Sequence, residues 1–160
     1  ICCGKRHVDT LVPIFIEKFR LPISPDFSMQ KYFVEHFEKN PEIWQIVSEL
    51  KKIKQVGLLT DMHPGMLDEI YANNLITDRN WLSVINSSLV GYRKPMPEIY
   101  KLAQEKAGVP AEEILFIDNR QKNLDGASLA GWQTYLYDSS NYDQANLDLA
   151  SFLKLRTSEQ

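Results

Sequence analysis

Apolar residues recur every three or four positions through the first third of the chain, a spacing typical of one face of an α-helix. The first such series consists of Val8, Leu11, Val12, Phe15 and Phe19. The proline-containing segment 21–25 interrupts it, because proline cannot continue a helix. A second helix is predicted to end near Asn40, and Pro41 suits the first turn of a third. Residues 1 to about 54 are therefore predicted to be helical.

From Gln55 onward, short apolar runs alternate with helical repeats. Strands are predicted at 55–59, 82–87, 114–117 and 133–137. Helices are predicted at 64–73, 97–107, 122–130 and 142–153, the last with Ala145, Leu149 and Phe152 turned inward. Strand–helix–strand repetition predicts an α/β fold with a parallel sheet and helices on both faces.

Polar residues stand at the carboxyl ends of two predicted strands and in a loop between them. Thr60 follows the first strand, Lys94 lies in Gly-Tyr-Arg-Lys-Pro at 91–95, and Asp118 ends Ile-Leu-Phe-Ile-Asp. Each has an ordinary interpretation alone: a helix cap, a solvated lysine, a turn former. Right-handed crossovers place all strand ends of a parallel sheet on one edge. We therefore expect the three side chains to meet there.

A hydroxyl, an ammonium and a carboxylate at one sheet edge suit phosphoryl transfer. Catalysis of this reaction depends largely on charged groups that are positioned where charge develops in the transition state. Thr60 would donate a hydrogen bond to a phosphoryl oxygen, and Lys94 would neutralise developing charge. Asp118 would hold Mg²⁺, which prefers oxygen ligands.

The composition is that of an ordinary globular protein, with 44% hydrophobic and 24% charged residues. A net charge of −3 with scattered basic residues argues against a nucleic-acid partner. No apolar run approaches the roughly 20 residues of a membrane span. The adjacent Cys2 and Cys3 do not favour a disulfide and fit a reducing setting, so a cytoplasmic location is expected.

Three segments together resemble the haloacid dehalogenase superfamily. Leu-Leu-Thr at 58–60, Arg-Lys-Pro-x-Pro-x-Ile-Tyr at 93–100 and Ile-Asp-Asn-x-x-x-Asn-x-x-Gly-Ala at 117–127 are similar to its second, third and fourth motifs. The resemblance covers about residues 41–138. The nearest subgroup comprises small sugar-phosphate phosphatases and haloacid dehalogenases with a helical cap.

The resemblance implies a Rossmann-like core and Mg²⁺-dependent hydrolysis through an aspartyl-phosphate. It also implies that the partner is a small phosphorylated metabolite. It implies Thr60 as the phosphate-binding hydroxyl, Lys94 as the charge-balancing lysine, and Asp118 as the metal ligand, with Asn119 beside it. Asp61, Arg93 and Asn123 are expected to bind substrate.

Two departures from the family limit what is implied. Phosphatases of the family often carry a second acid where this chain has Asn119, so Mg²⁺ binding is expected to be weak or absent. Dehalogenases of the family work without the metal. The family's first motif, an apolar strand ending Asp-x-Asp that supplies the nucleophile, has no counterpart here; Asp9 lies in a helical pattern and Asp26 follows a proline.

The chain is accordingly expected to begin within a cap. Residues 1–40 are predicted to be a cap remnant, 41–155 the α/β core and 156–160 a frayed tail. An absent central strand would leave backbone groups unpaired, so we expect another element to fill the slot, as in a homodimer or a strand-swapped oligomer. The alternative to a hydrolase is a non-catalytic relic that serves as an oligomerisation or binding module. A response-regulator domain is disfavoured because Asp118 follows both Thr60 and Lys94.

Overall fold

The computed structural model describes residues 2–155 of the chain, and the predicted tail 156–160 lies outside them. The helices are α1 (Val12–Phe19), α2 (Met29–Glu35), α3 (Pro41–Lys51), α4 (Met66–Ala72), α5 (Ser87–Val90), α6 (Pro97–Ala107), α7 (Gln121–Leu129) and α8 (Tyr142–Phe152). The strands are β1 (Leu58–Thr60), β2 (Val84–Asn86), β3 (Leu115–Asp118) and β4 (Gln133–Leu136). Short 3-10 helices cover Val8–Leu11 and Ala111–Glu113.

The strands form two hydrogen-bonded pairs, β1 with β2 and β3 with β4. The second pair is parallel, with Leu115 opposite Gln133 and Asp118 opposite Leu136. Helix α7 connects these two strands and contacts both of them. The predicted α/β class with parallel strands and flanking helices is confirmed.

The chain divides into two compact units. The first contains residues up to Lys39, Leu59–Asn80 and Ile85–Arg93; the second contains Asn40–Leu58, Trp81–Val84 and the chain from Lys94 onward. The predicted division into a cap remnant and a core stays a prediction. Within residues 2–155, none of the helices combines the length and the apolar character needed to cross a bilayer.

In the first unit, the Asp9 side chain connects the 3-10 helix Val8–Leu11 to the start of helix α2. Asp9 accepts hydrogen bonds from Ser28 Oγ at 2.8 Å and from the Gln30 backbone N–H at 2.9 Å. Ser28 also caps α2 by accepting from the Lys31 N–H. The unit's buried apolar side chains include Val8, Val12, Val34, Met66 and Ile70.

The core of the second unit is an aromatic cluster. Tyr100, Phe116 and Trp132 are buried and meet edge to face, with Tyr100 ring centroids 6.0 Å from Phe116 and 5.4 Å from Trp132. Such arrangements place the positive edge of one ring against the negative face of another. Gly126 permits the close approach of α7, because a Cβ there would lie 2.8 Å from Tyr100 Cε2 and 2.9 Å from Pro95 Cβ.

Several predicted boundaries agree with the structure. Helix α6 begins at Pro97 and ends before Gly108, which has a left-handed φ of 68°. Helix α3 begins at Pro41 as expected. Two expectations were wrong: α2 ends at Glu35, well before residue 40, and Phe152 is half exposed, although its ring packs on Tyr135 at 4.6 Å.

The packing around Gly126 generates a stability prediction. Glycine-to-alanine changes inside a helix usually stabilise it by about 1 kcal/mol. We expect Gly126→Ala to destabilise the protein instead, by about 1–3 kcal/mol, because the new methyl group collides with the side chains of Tyr100 and Pro95. Denaturant unfolding measures the difference. Ser128→Ala, at an exposed position of the same helix, is the matched control and should change little. A more stable Gly126→Ala protein would contradict the packing described.

Candidate functional site

The centre of the candidate site is a buried ion pair. Asp118 ends strand β3, and its Oδ2 accepts from Lys94 Nζ at 2.8 Å. The two side chains are only 7% and 9% exposed. The Lys94 ammonium also lies 5.4 Å from the ring centroid of Phe116. The structure thus brings together two of the three predicted central residues, across 24 positions of sequence.

The other carboxylate oxygen of Asp118 is held by the start of helix α7. Asp118 Oδ1 accepts from the Arg120 backbone N–H at 2.9 Å and from Asn123 Nδ2 at 3.0 Å. Asn123 is buried, and its backbone oxygen accepts from Tyr100 Oη at 2.7 Å. Asn123 therefore orients the carboxylate; its expected part in substrate binding stays a prediction.

Asn119 has a different orientation from its neighbour Asp118. Its side chain is exposed, and Nδ2 donates to Ser139 Oγ at 3.1 Å. This bond links the loop after β3 to the loop after β4.

A cavity of about 390 Å³ lies beside Asp118, within the second unit. Its apolar and aromatic walls come from Ile43, Ile117, Tyr137 and Tyr142. Its polar lining comes from Asn40, Asn119 and Ser139, next to Asp118.

A closed hydrogen-bond network at this cavity was not predicted from the sequence. Asn40 Nδ2 donates to Tyr137 Oη at 2.7 Å, Tyr137 Oη donates to Asn146 Oδ1 at 2.8 Å, and Asn146 Nδ2 donates back to Asn40 Oδ1 at 2.9 Å. Burial raises the pKa of Tyr137, whereas the bond from Asn40 lowers it; the net shift is upward. The hydroxyl thus stays protonated and keeps donating to Asn146.

In the first unit, Thr60 ends strand β1 and Asp61 follows it. The loop after them is anchored by Ser87, a fully buried residue that sequence analysis did not single out. Ser87 Oγ accepts from the Met62 N–H at 3.0 Å. Arg93 is exposed. The predicted convergence of Thr60 with Lys94 and Asp118 stays a prediction, as do the roles of Asp61 and Arg93.

His63 follows in the same loop. Its ring centroid lies 6.1 Å from that of Phe33, and its Nδ1 is buried without a hydrogen-bond partner among the described residues. Burial lowers the pKa of His63 below its ordinary value, and the nearby charge of His7 lowers it further.

The described residues do not by themselves form a Mg²⁺ site. Among residues 2–155, no three acidic, histidine or cysteine side chains are grouped so that they could hold a metal ion. Asp118 supplies one carboxylate, and both of its oxygens already accept hydrogen bonds from the protein. Mg²⁺ requires near-octahedral oxygen coordination, which one engaged carboxylate does not provide.

Comparisons with known proteins agree with the motifs. The family model described as haloacid dehalogenase-like hydrolase matches residues 17–131, more than half of the chain. The chain is 29% identical over 115 residues to an (S)-2-haloacid dehalogenase of Xanthobacter autotrophicus. That match covers 70% of this chain and 45% of the relative, so the chain spans less than half of the relative's length.

Solved structures show the same fold. A HAD family enzyme from Bacteroides thetaiotaomicron, in complex with magnesium and inorganic phosphate, has a TM-score of 0.73 at 20% identity, covering 88% of this chain and 73% of that one. A predicted HAD-like family hydrolase from Porphyromonas gingivalis has a TM-score of 0.75 at 19% identity, covering 96% and 77%.

The buried ion pair can be tested by a double-mutant cycle on Lys94→Met and Asp118→Asn. Removing one partner leaves a buried charge uncompensated, so we expect Lys94→Met alone to cost about 3–5 kcal/mol of unfolding free energy. The double variant should cost less than the sum of the single changes, by about 0.5–3 kcal/mol.

The exposed pair Lys52–Glu49, at 2.6 Å with side chains 63% and 47% exposed, offers the matched control. The cycle of Lys52→Met and Glu49→Gln should give a coupling of about 1 kcal/mol or less. Equal couplings in the two cycles would mean that burial of the Lys94–Asp118 pair has no energetic consequence.

The lowered pKa of His63 predicts how stability depends on pH. The unfolded chain takes up a proton near the ordinary histidine pKa of 6.5, whereas the folded chain does so only at lower pH. Stability from this group is therefore complete above that value and is lost as the pH falls below it. We expect His63→Gln to reduce the loss of unfolding free energy between about pH 7.5 and about pH 5.5. A His63→Gln protein that loses as much stability as the unaltered chain would contradict the assignment.

Proposed function

The chain belongs to the haloacid dehalogenase-like hydrolase family. We propose that it forms the part of an enzyme that neutralises the negative charge of the phosphoryl group, and that the enzyme hydrolyses a phosphomonoester of a small metabolite. The observation that carries this proposal is the buried Lys94–Asp118 pair at the end of β3. A positive charge fixed in a water-poor environment stabilises a negatively charged transition state more strongly than one in solvent.

Each residue has a distinct part in the proposed reaction. Lys94 neutralises charge on the phosphoryl group and on the attacking carboxylate. Asp118 holds the ammonium in place, and Asn123 with the Arg120 N–H holds Asp118. Thr60 donates a hydrogen bond to a phosphoryl oxygen, while Asp61 and Arg93 contact the rest of the substrate.

The nucleophile is a carboxylate on an Asp-x-Asp strand, and that tripeptide does not occur in these 160 residues. The proposal therefore requires the strand to be supplied. Asp9 is not a substitute, because Ser28 and the Gln30 N–H already occupy its carboxylate within the first unit.

The phosphate assignment is supported by the similar HAD family enzyme whose structure contains magnesium and inorganic phosphate. Mg²⁺, when bound, would neutralise charge on the phosphoryl oxygens. Asp118 and Asn119 would contribute to holding it, and we expect weak binding by this chain because the donor set is small.

Hydrolysis of a small 2-haloacid is the second candidate. It is favoured by the similarity to an (S)-2-haloacid dehalogenase and by the engagement of both Asp118 oxygens within the protein, which suits a reaction without a metal.

The proposal can be tested with an aryl phosphate substrate. We expect no turnover by the 160 residues alone, with Mg²⁺ or with a chelator. A version extended at its amino terminus by an apolar strand ending Asp-x-Asp should hydrolyse the substrate. Lys94→Met in the extended version should lower kcat by about 10²–10³-fold, since it removes a charge that stabilises the transition state.

Lys52→Met, which removes an exposed lysine paired with Glu49, is the control and should leave kcat unchanged. Turnover of a 2-haloacid but not of the aryl phosphate would favour the second candidate. A folded extended protein that hydrolyses neither would favour a non-catalytic oligomerisation or binding module. Turnover by the unextended chain would overturn the assignment of the nucleophile.

A further inference from the structure

We infer that Ser87 is a positioning residue, which holds the loop after strand β1 and thereby fixes the position of the Thr60 hydroxyl. The inference rests on the proposed function, because it takes Thr60 as the group that donates a hydrogen bond to a phosphoryl oxygen. Both residues, and the loop between Thr60 and helix α4, belong to the first unit.

The side chain of Ser87 is hydrogen-bonded to the loop that follows β1. Its Oγ accepts from the Met62 backbone N–H at 3.0 Å and donates to the Met62 carbonyl oxygen at 3.4 Å. Thr60 is the last residue of β1, and Met62 follows it by two positions. Because one hydroxyl contacts both polar groups of the Met62 backbone, the orientation of the chain is restrained directly after Thr60.

Ser87 is in turn held by a turn of its own. It is the first residue of α5, directly after strand β2. Asn86 Oδ1 accepts from the Ser88 N–H at 3.0 Å and from Ser88 Oγ at 2.9 Å, which closes the turn between β2 and α5. Gly4 packs tightly against this turn, since a Cβ on Gly4 would lie 2.1 Å from the Ser88 carbonyl oxygen. The hydroxyl that restrains the loop therefore has a fixed support.

The burial of Ser87 indicates what its hydroxyl contributes. The residue is fully buried, and a hydroxyl removed from water costs free energy unless it is hydrogen-bonded. An alanine at this position would fill nearly the same space without that cost, but it would leave the Met62 N–H without this acceptor. The consequence of having a serine here is thus the connection to the loop.

The position of Thr60 matters because a hydrogen-bond donor stabilises developing negative charge only when it lies at the correct distance. Misplacement of a reacting or positioning group by about 1 Å can reduce a rate by about 10²-fold. Loss of the restraint at Met62 displaces the hydroxyl of Thr60, two residues earlier in the chain. Ser87, being fully buried, acts through Thr60 and not by touching the substrate.

The first measurement is amide hydrogen exchange in the 160-residue chain, followed by NMR. Ser87→Ala should accelerate exchange of the Met62 amide by about tenfold or more, because it removes the acceptor of that N–H. The amide of Gly108, which donates to the Gln104 carbonyl in the second unit, is the internal reference and should keep its rate. Ser88→Ala removes a neighbouring hydroxyl that bonds within its own turn; as the matched control, it should leave the Met62 amide unchanged.

The second measurement is a double-mutant cycle in the version extended by the Asp-x-Asp strand, with the aryl phosphate as substrate. Ser87→Ala should lower kcat by about tenfold or more. Adding Ser87→Ala to Thr60→Val should cause no further loss, because the hydroxyl that Ser87 positions is then absent. Ser88→Ala should again leave kcat unchanged. If circular dichroism shows that Ser87→Ala does not fold, Ser87→Cys replaces it, since a thiol forms only weak hydrogen bonds.

The outcomes separate this inference from the proposed function. An unchanged exchange rate of the Met62 amide in Ser87→Ala would overturn the inference at any level of activity. A further loss of kcat on adding Ser87→Ala to Thr60→Val would also overturn it, because Ser87 would then act independently of Thr60. Accelerated exchange without turnover by the extended protein would support the restraint of the loop by Ser87 and contradict the proposed function.

Discussion

In the second unit, the geometry around the carboxyl end of strand β3 depends on the buried ion pair between Lys94 and Asp118. Removing two charges from water is expensive, and the cost is offset only when both charges are paired and their remaining hydrogen-bonding positions are filled. Asp118 meets this condition with Lys94 on one oxygen and with Asn123 and the Arg120 N–H on the other. One carboxylate therefore determines the relative positions of three segments: the loop before α6, the end of β3 and the first turn of α7.

The aromatic core is connected to this ion pair through Asn123. Tyr100 packs edge to face against Phe116 and Trp132, and its hydroxyl donates to the backbone of Asn123, the residue that orients Asp118. Gly126 allows α7 to approach Tyr100 closely enough for that bond. Tyr100 thus contributes both to the packing of the core and to the position of Asn123. A change at Tyr100 is therefore expected to alter the orientation of the Asp118 carboxylate.

Local sequence signals predicted much of the fold and the central pair of the site. Helix α6 was predictable because Pro97 and Gly108 mark its ends, and β3 because an apolar run leads directly to Asp118. No local signal marked which strands would pair, although the absent central strand implied by the motifs is consistent with the observed pairs β1–β2 and β3–β4. The Asn40–Tyr137–Asn146 network was not predictable, because its members are as far as 106 positions apart and each have an ordinary role in a turn, strand or helix. Asn123 was found by motif, but which partner it contacts is a matter of packing.

The closed network also changes how the composition of the cavity should be interpreted. Asparagine, serine and tyrosine side chains beside a carboxylate suggest a site for hydroxyl groups. Here one N–H and the oxygen of Asn40, and the hydroxyl of Tyr137, form bonds with each other and with Asn146, whereas Asn119 and Ser139 at the same wall share a single bond. Because an amide has two donors and two acceptor lone pairs, the network fixes the orientation of Asn40 and Tyr137 without exhausting the polar groups of the wall. Its part is therefore structural: it joins the residue before α3, the residue after β4 and helix α8 through side-chain bonds.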